Sequence, residues 1–159
     1  MIRFEEGNNC FNYRVAGIAV HENSVLLHKS VNDDFWSFPG GRAEFGEPAE
    51  QTLKREMREE IGAEIEVIRL LWFAENFFTY DGYRYHEIGL YFLMKLPATS
   101  RYHVHSGPMP CDEEGSNLIF QWFPLKQDVL ASLPLLPSFL QTRLHALPES
   151  VQHVIQYDE

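Results

Sequence analysis

Residues 41–63 read GRAEFGEPAEQTLKREMREEIGA, and this stretch contains the beginning, the body and the end of one helix. Proline is favoured at the first helical position, because the N–H that it lacks would have no partner there, and Pro48 stands at such a position. Glycine is favoured just after the last turn, where the chain turns left-handed, and Gly62 follows the apolar pattern. The sequence therefore predicts a helix from about residue 48 to residue 61.

Three carboxylates share one face of this helix. At about 100° per residue, Glu59 and Glu60 lie at about −60° and +40° from Glu56, so the three span an arc of about 100°. The apolar residues form a stripe that is expected to pack on a sheet, and Glu60 lies at its edge. This stripe consists of Ala49, Leu53, Met57 and Ile61.

The crowded carboxylates require a positive partner. Like charges four residues apart on a helix repel, and a partly buried carboxylate without a partner costs several kcal/mol. The helical angles direct Arg55 and Arg58 away from the arc, although Arg55 could pair with Glu59. A divalent cation would neutralise the cluster, since Mg²⁺ commonly binds a few carboxylates together with substrate phosphates. The alternative, a charged helix face in solvent, is disfavoured by the overlap of Glu60 with the apolar stripe.

Segments with β-strand character surround the helix, at residues 13–20, 24–28, 35–38, 64–78, 85–96 and 118–123. A polar turn after residue 20 predicts a hairpin, and Asp81-Gly82 is the signal for a second, longer one. Pro39-Gly40-Gly41 stops the short aromatic strand FWSF. A polar loop is predicted at 99–116 and helices at 125–130 and 137–147, whereas the tail 151–159 is ambiguous. This order predicts one domain, residues 1–159, of the α+β class.

Composition narrows the class of protein. The 159 residues are 45% hydrophobic, which suits one domain with a full core. Cys10 and Cys111 have no CxxC spacing, so we expect free thiols in a reducing cytoplasm. Neither a signal peptide nor an apolar run of ~18 residues is present, which argues against a membrane location. The net charge of −10 argues against nucleic-acid binding and suggests that a polyanionic ligand needs metal ions as intermediaries.

Gly41, Glu47 and the segment REMREEIGA at 55–63 together resemble a complete Nudix box. Five residues separate Gly41 from Glu47, and seven more precede Arg55. A chance match at all the fixed positions has a probability of about 10⁻⁶ at ordinary residue frequencies. Ala63 departs mildly, because the family usually has a larger aliphatic residue there. With FWSFPGG before the box and the tyrosine-rich hairpin after it, the resemblance covers roughly residues 12–125.

The resemblance implies an α/β/α sandwich with a mixed central sheet and a pyrophosphohydrolase activity. The substrate would be a small-molecule nucleotide in which a nucleoside diphosphate is linked to another moiety: a nucleoside triphosphate, a nucleotide sugar or a dinucleoside polyphosphate. Bound metals would neutralise the diphosphate and activate water, so that no protein nucleophile is needed. The resemblance also admits a homodimer. A catalytically silent, nucleotide-sensing domain is the alternative, which an eroded box would favour.

Site residues follow from the same resemblance. Glu56, Glu59 and Glu60 are expected to ligate Mg²⁺ or Mn²⁺, with the backbone carbonyl of Gly40 as a further ligand. Arg55 is counted with them in the catalytic set, and it supports the frame together with Glu47. Candidate substrate-binding residues are Trp36, Arg42, Tyr80 and Glu87. Packing of the aromatic residues within the hairpin core is an equal alternative to stacking on a nucleobase.

The general base stays open between two kinds of carboxylate. Some family members use the box glutamate that corresponds to Glu56, whereas others use a carboxylate from a distant segment. Here the distant candidates are Glu87, Asp112, Glu113 and Glu114. A metal-like spacing also occurs at His103-x-His105, for which we expect a solvated loop.

Overall fold

The computed structural model describes residues 1–103 and 107–158, in which nine strands form one sheet. The strand order is β7-β8-β3-β2-β6-β5-β9, and β1 and β4 both pair with β2. The strands are β1 (Arg3–Glu6), β2 (Asn9–His21), β3 (Ser24–Ser30), β4 (Gly40–Arg42), β5 (Glu66–Tyr80), β6 (Tyr83–Lys95), β7 (Met109–Pro110), β8 (Leu118–Pro124) and β9 (Gln152–Asp158). The helices are α1 (Ala49–Ile61), α2 (Gln127–Ser132) and α3 (Leu140–Arg143), with a 3-10 turn at Arg101–His103.

Strand β2 organises the sheet. One of its edges pairs with β6 in parallel from Asn9 to Ala19. The other edge is shared along its length by β1, β4 and β3, all antiparallel. Strands β5 and β9 form a second parallel pair, while β5 and β6 are antiparallel. The sheet is therefore mixed, as the family resemblance predicted.

Two apolar clusters lie on opposite faces of the sheet. Leu53, Met57 and Ile61 of α1 are buried in one cluster, which confirms the predicted apolar stripe. The other cluster joins α2 and α3 to the sheet, with Trp72 packed against Phe139 at a centroid distance of 5.8 Å. Helices thus cover both faces, and the predicted α/β/α sandwich is confirmed.

Local turn chemistry agrees with the predictions. Gly62 is left-handed, with φ 61° and ψ 23°, and its N–H donates to the Arg58 carbonyl at the end of α1. Asp81 and Gly82 both have positive φ, 49° and 82°, as a two-residue hairpin turn requires. These two residues join β5 to β6 at the Tyr80–Tyr83 pair.

The strand predicted at residues 35–38 is wrong. Trp36 and Ser37 make only isolated bridges, to Leu135 and His28 respectively, so no continuous ladder forms. Instead the breaker that follows takes part in the sheet, because Gly40 and Gly41 pair with Ala16 and Val15. The absence of a side chain allows this close pairing: a Cβ on Gly40 would lie 2.1 Å from the Val15 carbonyl oxygen.

The ends of the chain also differ from the predictions. Residues 3–6 form β1, and the ambiguous tail forms β9 beside β5. The helix predicted at 137–147 shrinks to the four residues of α3. Both thiols are free, as predicted. Over the residues described, no helix is long and apolar enough to cross a membrane.

Candidate functional site

A cleft with a volume of about 460 Å³ adjoins the sheet, β4 and the acidic face of α1. This volume is typical of a small-molecule site. Alternate residues of β2, β5 and β6 form part of its lining, since side chains two apart on a strand share a face. Six of the predicted site residues line it: Gly40, Arg42, Glu56, Glu60, Tyr80 and Glu87.

Arg55 and Glu47 form a clamp at the start of α1. Arg55 donates from Nε and Nη2 to the two Glu47 carboxylate oxygens, at 2.8 and 3.0 Å. Thr52 Oγ1 donates to the same carboxylate at 2.7 Å. The hydrogen bonds from Arg55 lower the pKa of Glu47 to about 2. This clamp agrees with the supporting role that the resemblance implied for both residues.

Arg55 also faces the acidic cluster, which corrects the expectation that it points away. Its Nη1 donates to Glu56 Oε1 at 2.8 Å and lies 3.5 Å from Glu59 Oε2. The side chain curls back along the helix, because Glu47, eight residues earlier, holds the other side of the guanidinium group. Ideal helical angles describe where Cβ points, and they do not describe where a long side chain ends.

Glu60 is the most constrained carboxylate of the cluster. Its residue is only 5% exposed, and Oε2 is buried without a hydrogen-bond partner. Burial, and then the charge of Glu56, raise the pKa of Glu60 to about 8. Burial also raises the pKa of Glu56, although Arg55 opposes this. The predicted position of Glu60 at the edge of the apolar stripe is confirmed.

Gly41 leaves room for the Glu56 carboxylate. A Cβ at residue 41 would lie 2.3 Å from the Glu56 carboxyl carbon and 2.4 Å from Oε1. A side chain at residue 41 would therefore displace the Glu56 carboxylate from its present position. Gly41, the first residue of the box, thus packs directly against the Glu56 carboxylate.

A divalent cation fits the donor set at this end of the cleft. The hard carboxylate oxygens of Glu56, Glu59 and Glu60 are the kind that Mg²⁺ and Mn²⁺ prefer. Glu60 Oε2 has no other partner, and the side chain of Glu59 is 47% exposed and unconstrained by packing. In the part of the chain that the structure describes, no three such groups converge to hold an ion in the present conformation.

Arg14 is a cation in the cleft that the sequence analysis missed. It lies on β2, and its Nη2 donates to the Phe38 carbonyl at 2.6 Å and contacts His28 Nε2 at 3.4 Å. Its positive charge lowers the pKa values of both Glu56 and Glu60 and so opposes the effect of burial on these two groups. Burial, followed by the charge of Arg14, keeps the pKa of His28 well below its usual value, so His28 stays neutral. The signal that could have located Arg14 is its register with Arg42, which only strand pairing reveals.

Glu87 lies in a buried polar row that crosses three strands. The strand register sets Asn12 of β2, Glu87 of β6 and Asn76 of β5 side by side. Asn12 Nδ2 donates to Glu87 Oε2 at 2.8 Å, and Asn76 Nδ2 donates to Oε1 at 3.2 Å. All three residues are less than 10% exposed and all line the cleft. Neither asparagine was predicted, because each belongs to no recognisable motif and only the strand register brings it beside Glu87.

The aromatic candidates separate into two groups. Tyr80 lies at the cleft, packs edge-on against Phe35 and donates to Asp33 at 3.1 Å. Phe35, which the sequence analysis did not select, also lines the cleft. Trp36 instead packs edge-on against Phe123 at 4.9 Å and under the Lys29 ammonium at 5.2 Å. Trp36 is not among the described residues that line the cleft, and its role in substrate binding stays a prediction.

The loop carboxylates lie beyond the C-terminal end of α1. The Asp112 N–H donates to the Glu60 carbonyl at 2.7 Å, and the Asp112 side chain pairs with Arg101. Glu113 and Glu114 are exposed. None of the three contributes to the cleft lining found within residues 1–103 and 107–158.

Of the two histidines with metal-like spacing, His105 lies outside the described residues. The structure places His103 against His21, at a centroid distance of 3.9 Å, and against Trp122. His103 is thus half-buried, in contrast to the solvated loop expected for it.

A mixed sheet between helices, with a glutamate-bearing helix beside a nucleotide-sized cleft, is the architecture of a Nudix domain. The NUDIX domain profile matches residues 12–137. The chain therefore belongs to the Nudix hydrolase family, and it is a pyrophosphohydrolase of that family.

Individual relatives agree with this assignment. The chain is 31% identical to the RNA pyrophosphohydrolase of Acinetobacter baylyi over 131 residues, which cover 75% of this chain and 79% of the relative. It is 34% identical to the 8-oxo-dGTP diphosphatase of Buchnera aphidicola over 84 residues, or 50% of this chain and 59% of that protein. The crystal structure of an ADP-ribose pyrophosphatase from Streptococcus suis shares the fold, with a TM-score of 0.59 and 17% identity over 91% of this chain and 98% of that one.

Proposed function

We propose that this chain hydrolyses the diphosphate bridge of a nucleoside diphosphate linked to another group, with Mg²⁺ or Mn²⁺ bound by Glu56, Glu59 and Glu60. The observation that carries the proposal is the buried Glu60 carboxylate, whose Oε2 has no partner, beside Glu56 at the cleft. A buried carboxyl group whose oxygen lacks a partner is retained when a ligand compensates it. The Gly40 carbonyl, at the same end of the cleft, is the further ligand.

The cleft residues have separate tasks in this reaction. A divalent cation held by Glu56, Glu59 and Glu60 would supply positive charge to the diphosphate oxygens and Lewis-acid activation of water. Arg55 holds Glu56 at Oε1, and Glu47 holds Arg55, so the acidic face keeps its orientation before substrate arrives. Arg14 and Arg42, paired across β2 and β4, supply positive charge at the cleft for the substrate phosphates.

The wide range of family substrates calls for a screen. Purified protein with Mg²⁺ is incubated with nucleoside triphosphates, nucleotide sugars and dinucleoside polyphosphates, and the released phosphate or monophosphate is measured. A 5′-triphosphorylated RNA is included, because one relative is an RNA pyrophosphohydrolase, although the net charge of −10 favours small nucleotides. The cytoplasmic location and the homodimer stay predictions.

Variants of α1 decide whether the proposed metal site performs the hydrolysis. Glu59→Gln and Glu60→Gln keep the side-chain shape and remove the charge, so turnover should fall by about 10²-fold or more. Glu50→Gln, in the exposed first turn of the same helix, is the matched control and should keep normal turnover. Hydrolysis that is equal in all four proteins would refute the assignment. A wild type that binds nucleotides and hydrolyses none would favour the nucleotide-sensing alternative.

A further inference from the structure

We infer that the Asn12–Glu87–Asn76 row reads the nucleobase of the substrate and selects guanine over adenine. This inference rests on the proposed function, because it specifies the substrate of the same cleft. It concerns the end of the cleft that is far from the acidic helix. Three observations support it: the position of the row, its unfilled acceptors and the aromatic surface beside it.

The distance from the acidic cluster of α1 to the row matches the distance from the phosphates of a nucleotide to its base. Glu87 is level with Asn12 on β2, whereas Gly41, which lies against Glu56, pairs with Val15. Three residues of strand separate the two levels by about 10 Å along the sheet, a length that an extended nucleoside diphosphate spans. Glu87 is therefore placed for the end of the nucleotide that lies away from the acidic cluster.

The row presents hydrogen-bond acceptors. A carboxylate only accepts, so Asn12 and Asn76 must each turn their Nδ2 group toward Glu87. This orientation leaves both amide Oδ1 atoms without partners, although both residues are buried. Buried polar atoms are normally paired, and an exception indicates a missing ligand or water. A ligand that binds against the Asn12–Glu87–Asn76 row must therefore offer N–H or O–H donors.

An aromatic surface lies next to the row. Tyr85 lies two residues before Glu87, and Phe78 lies two residues after Asn76. The rings of Tyr85 and Phe78 stack with a centroid distance of 4.9 Å and an interplanar angle of 5°. Both line the cleft, and so does Phe35. Flat apolar groups beside polar ones suit a nucleobase, which offers a π-face and a polar edge. A sugar hydroxyl pair would use the acceptors but gain little from the rings.

The donor pattern distinguishes the bases. The Watson–Crick edge of guanine carries two adjacent donors, the ring N1–H and the exocyclic amine, which match the two oxygens of one carboxylate. Adenine carries one donor beside a ring acceptor, and that acceptor would face the Glu87 carboxylate. Hypoxanthine keeps the ring N–H and lacks the amine. A bidentate contact of this kind discriminates between bases by about 10-fold or more.

Calorimetric titration with GMP, IMP and AMP, in the presence of Mg²⁺, tests the inference. These monophosphates contain no diphosphate bridge, so binding is measured whether or not the chain hydrolyses any substrate. We expect GMP to bind about 10-fold more tightly than AMP, with IMP between them. Equal affinities for GMP and AMP, equal affinities for GMP and IMP, or no binding of any of them at millimolar concentration would each overturn the inference.

Glu87→Gln identifies the group that reads the base. The asparagines can reverse their amides to pair with the new side chain, so we expect the variant to fold. One acceptor becomes a donor, and the preference for GMP over AMP should fall to within about twofold. Glu75→Gln is the matched control: Glu75 is a half-buried carboxylate of β5, paired with His153 at 2.7 Å, and adjacent to Asn76 on the other face of the strand. A guanine preference that survives in Glu87→Gln would show that another group reads the base.

Failure of the inference and failure of the proposed function remain distinguishable. If the wild type prefers GMP and hydrolyses no diphosphate substrate, the base site stands and the hydrolytic proposal fails. If it hydrolyses guanine and adenine substrates with equal kcat/KM and binds the monophosphates equally, the hydrolytic proposal stands and the base site fails.

Discussion

The Glu56 carboxylate occupies the space that a side chain at Gly41 would fill, with the ideal Cβ position 2.3 Å from the carboxyl carbon. The absence of a side chain at residue 41 thus allows the present position of a carboxylate fifteen residues later in the sequence. Strand β4 carries the glycine, and α1 carries the glutamate, so the contact connects the sheet to the acidic face of the helix.

Gly41→Ala should displace Glu56 without unfolding the protein. The methyl group forces the carboxylate to move by more than 1 Å, and misplacement of that size reduces turnover by about 10²-fold. Hydrolysis assays report the loss, and the far-ultraviolet circular dichroism spectrum reports the fold. Gly107→Ala is the control, since a Cβ there meets none of the described residues within 4 Å. Normal turnover in Gly41→Ala would show that the position of Glu56 is unimportant.

Glu60→Gln should stabilise the metal-free protein at pH 9. Burial raises the pKa of Glu60 to about 8, so the wild-type carboxyl is ionised and unpaired at this pH. The folded-state pKa lies above the unfolded one, so wild-type stability falls as pH rises from about 4.5 through about 8. Without metal, we expect the variant to melt about 2–4 °C higher than the wild type at pH 9, which corresponds to about 1 kcal/mol. The difference should shrink at pH 6, and an equal difference at both pH values would contradict this explanation.

Mg²⁺ should raise the melting temperature of the wild type. Binding to the folded state alone, at a concentration ten times Kd, contributes about 1.4 kcal/mol. For a chain of this size the shift is about 3–5 °C, which differential scanning calorimetry resolves. The Glu59→Gln, Glu60→Gln double variant should show no shift. A shift of equal size in that variant would place the ion elsewhere.

Glu47→Gln should weaken the clamp on Arg55. The hydrogen bonds from Arg55 hold the folded-state pKa of Glu47 near 2, below its unfolded value. Their contribution is therefore complete above about pH 4.5 and is lost as pH falls toward 2. We expect the variant to be less stable by about 1–2 kcal/mol at pH 7, and urea denaturation should show the difference shrinking below pH 4.5. A difference that does not depend on pH would indicate a steric effect.

The general base should be Glu56, because it lies in the acidic cluster at the cleft, whereas within the described residues none of the three loop carboxylates lines the cleft. Asp112 pairs with Arg101, and Glu87 is bound by two asparagines. Glu113 and Glu114 are exposed, although the charge of Glu113 contributes to the raised pKa of Glu60. We expect Glu56→Gln to lose kcat and the acidic limb of the pH–rate profile. Asp112→Asn, Glu113→Gln and Glu114→Gln should keep near-normal turnover. Loss of the acidic limb in one of these three, with intact metal affinity, would identify the loop carboxylate as the base instead.

Predictions from sequence were accurate where neighbours along the chain determine the structure. The limits of α1, its cap at Gly62 and the turn at Asp81-Gly82 depend on a few adjacent residues, and the structure confirms them. The prediction failed for residues 35–38, where aromatic composition suggested a strand. Their partners are His28 and Leu135, one of them about a hundred residues away along the chain.

The sequence by itself determined the family, through its resemblance to the Nudix box. It also determined the acidic face of α1 and the position of Glu60 at the edge of the apolar stripe, because helical periodicity places side chains without reference to the rest of the fold. Only the tertiary structure decided the direction of Arg55, the exclusion of Trp36 from the cleft and the row of Asn12, Glu87 and Asn76. Each of these depends on strand register or on packing between segments far apart in sequence. Since a one-residue change of register would turn every side chain of a strand to the opposite face, no local pattern specifies which polar residues meet at the floor of the cleft.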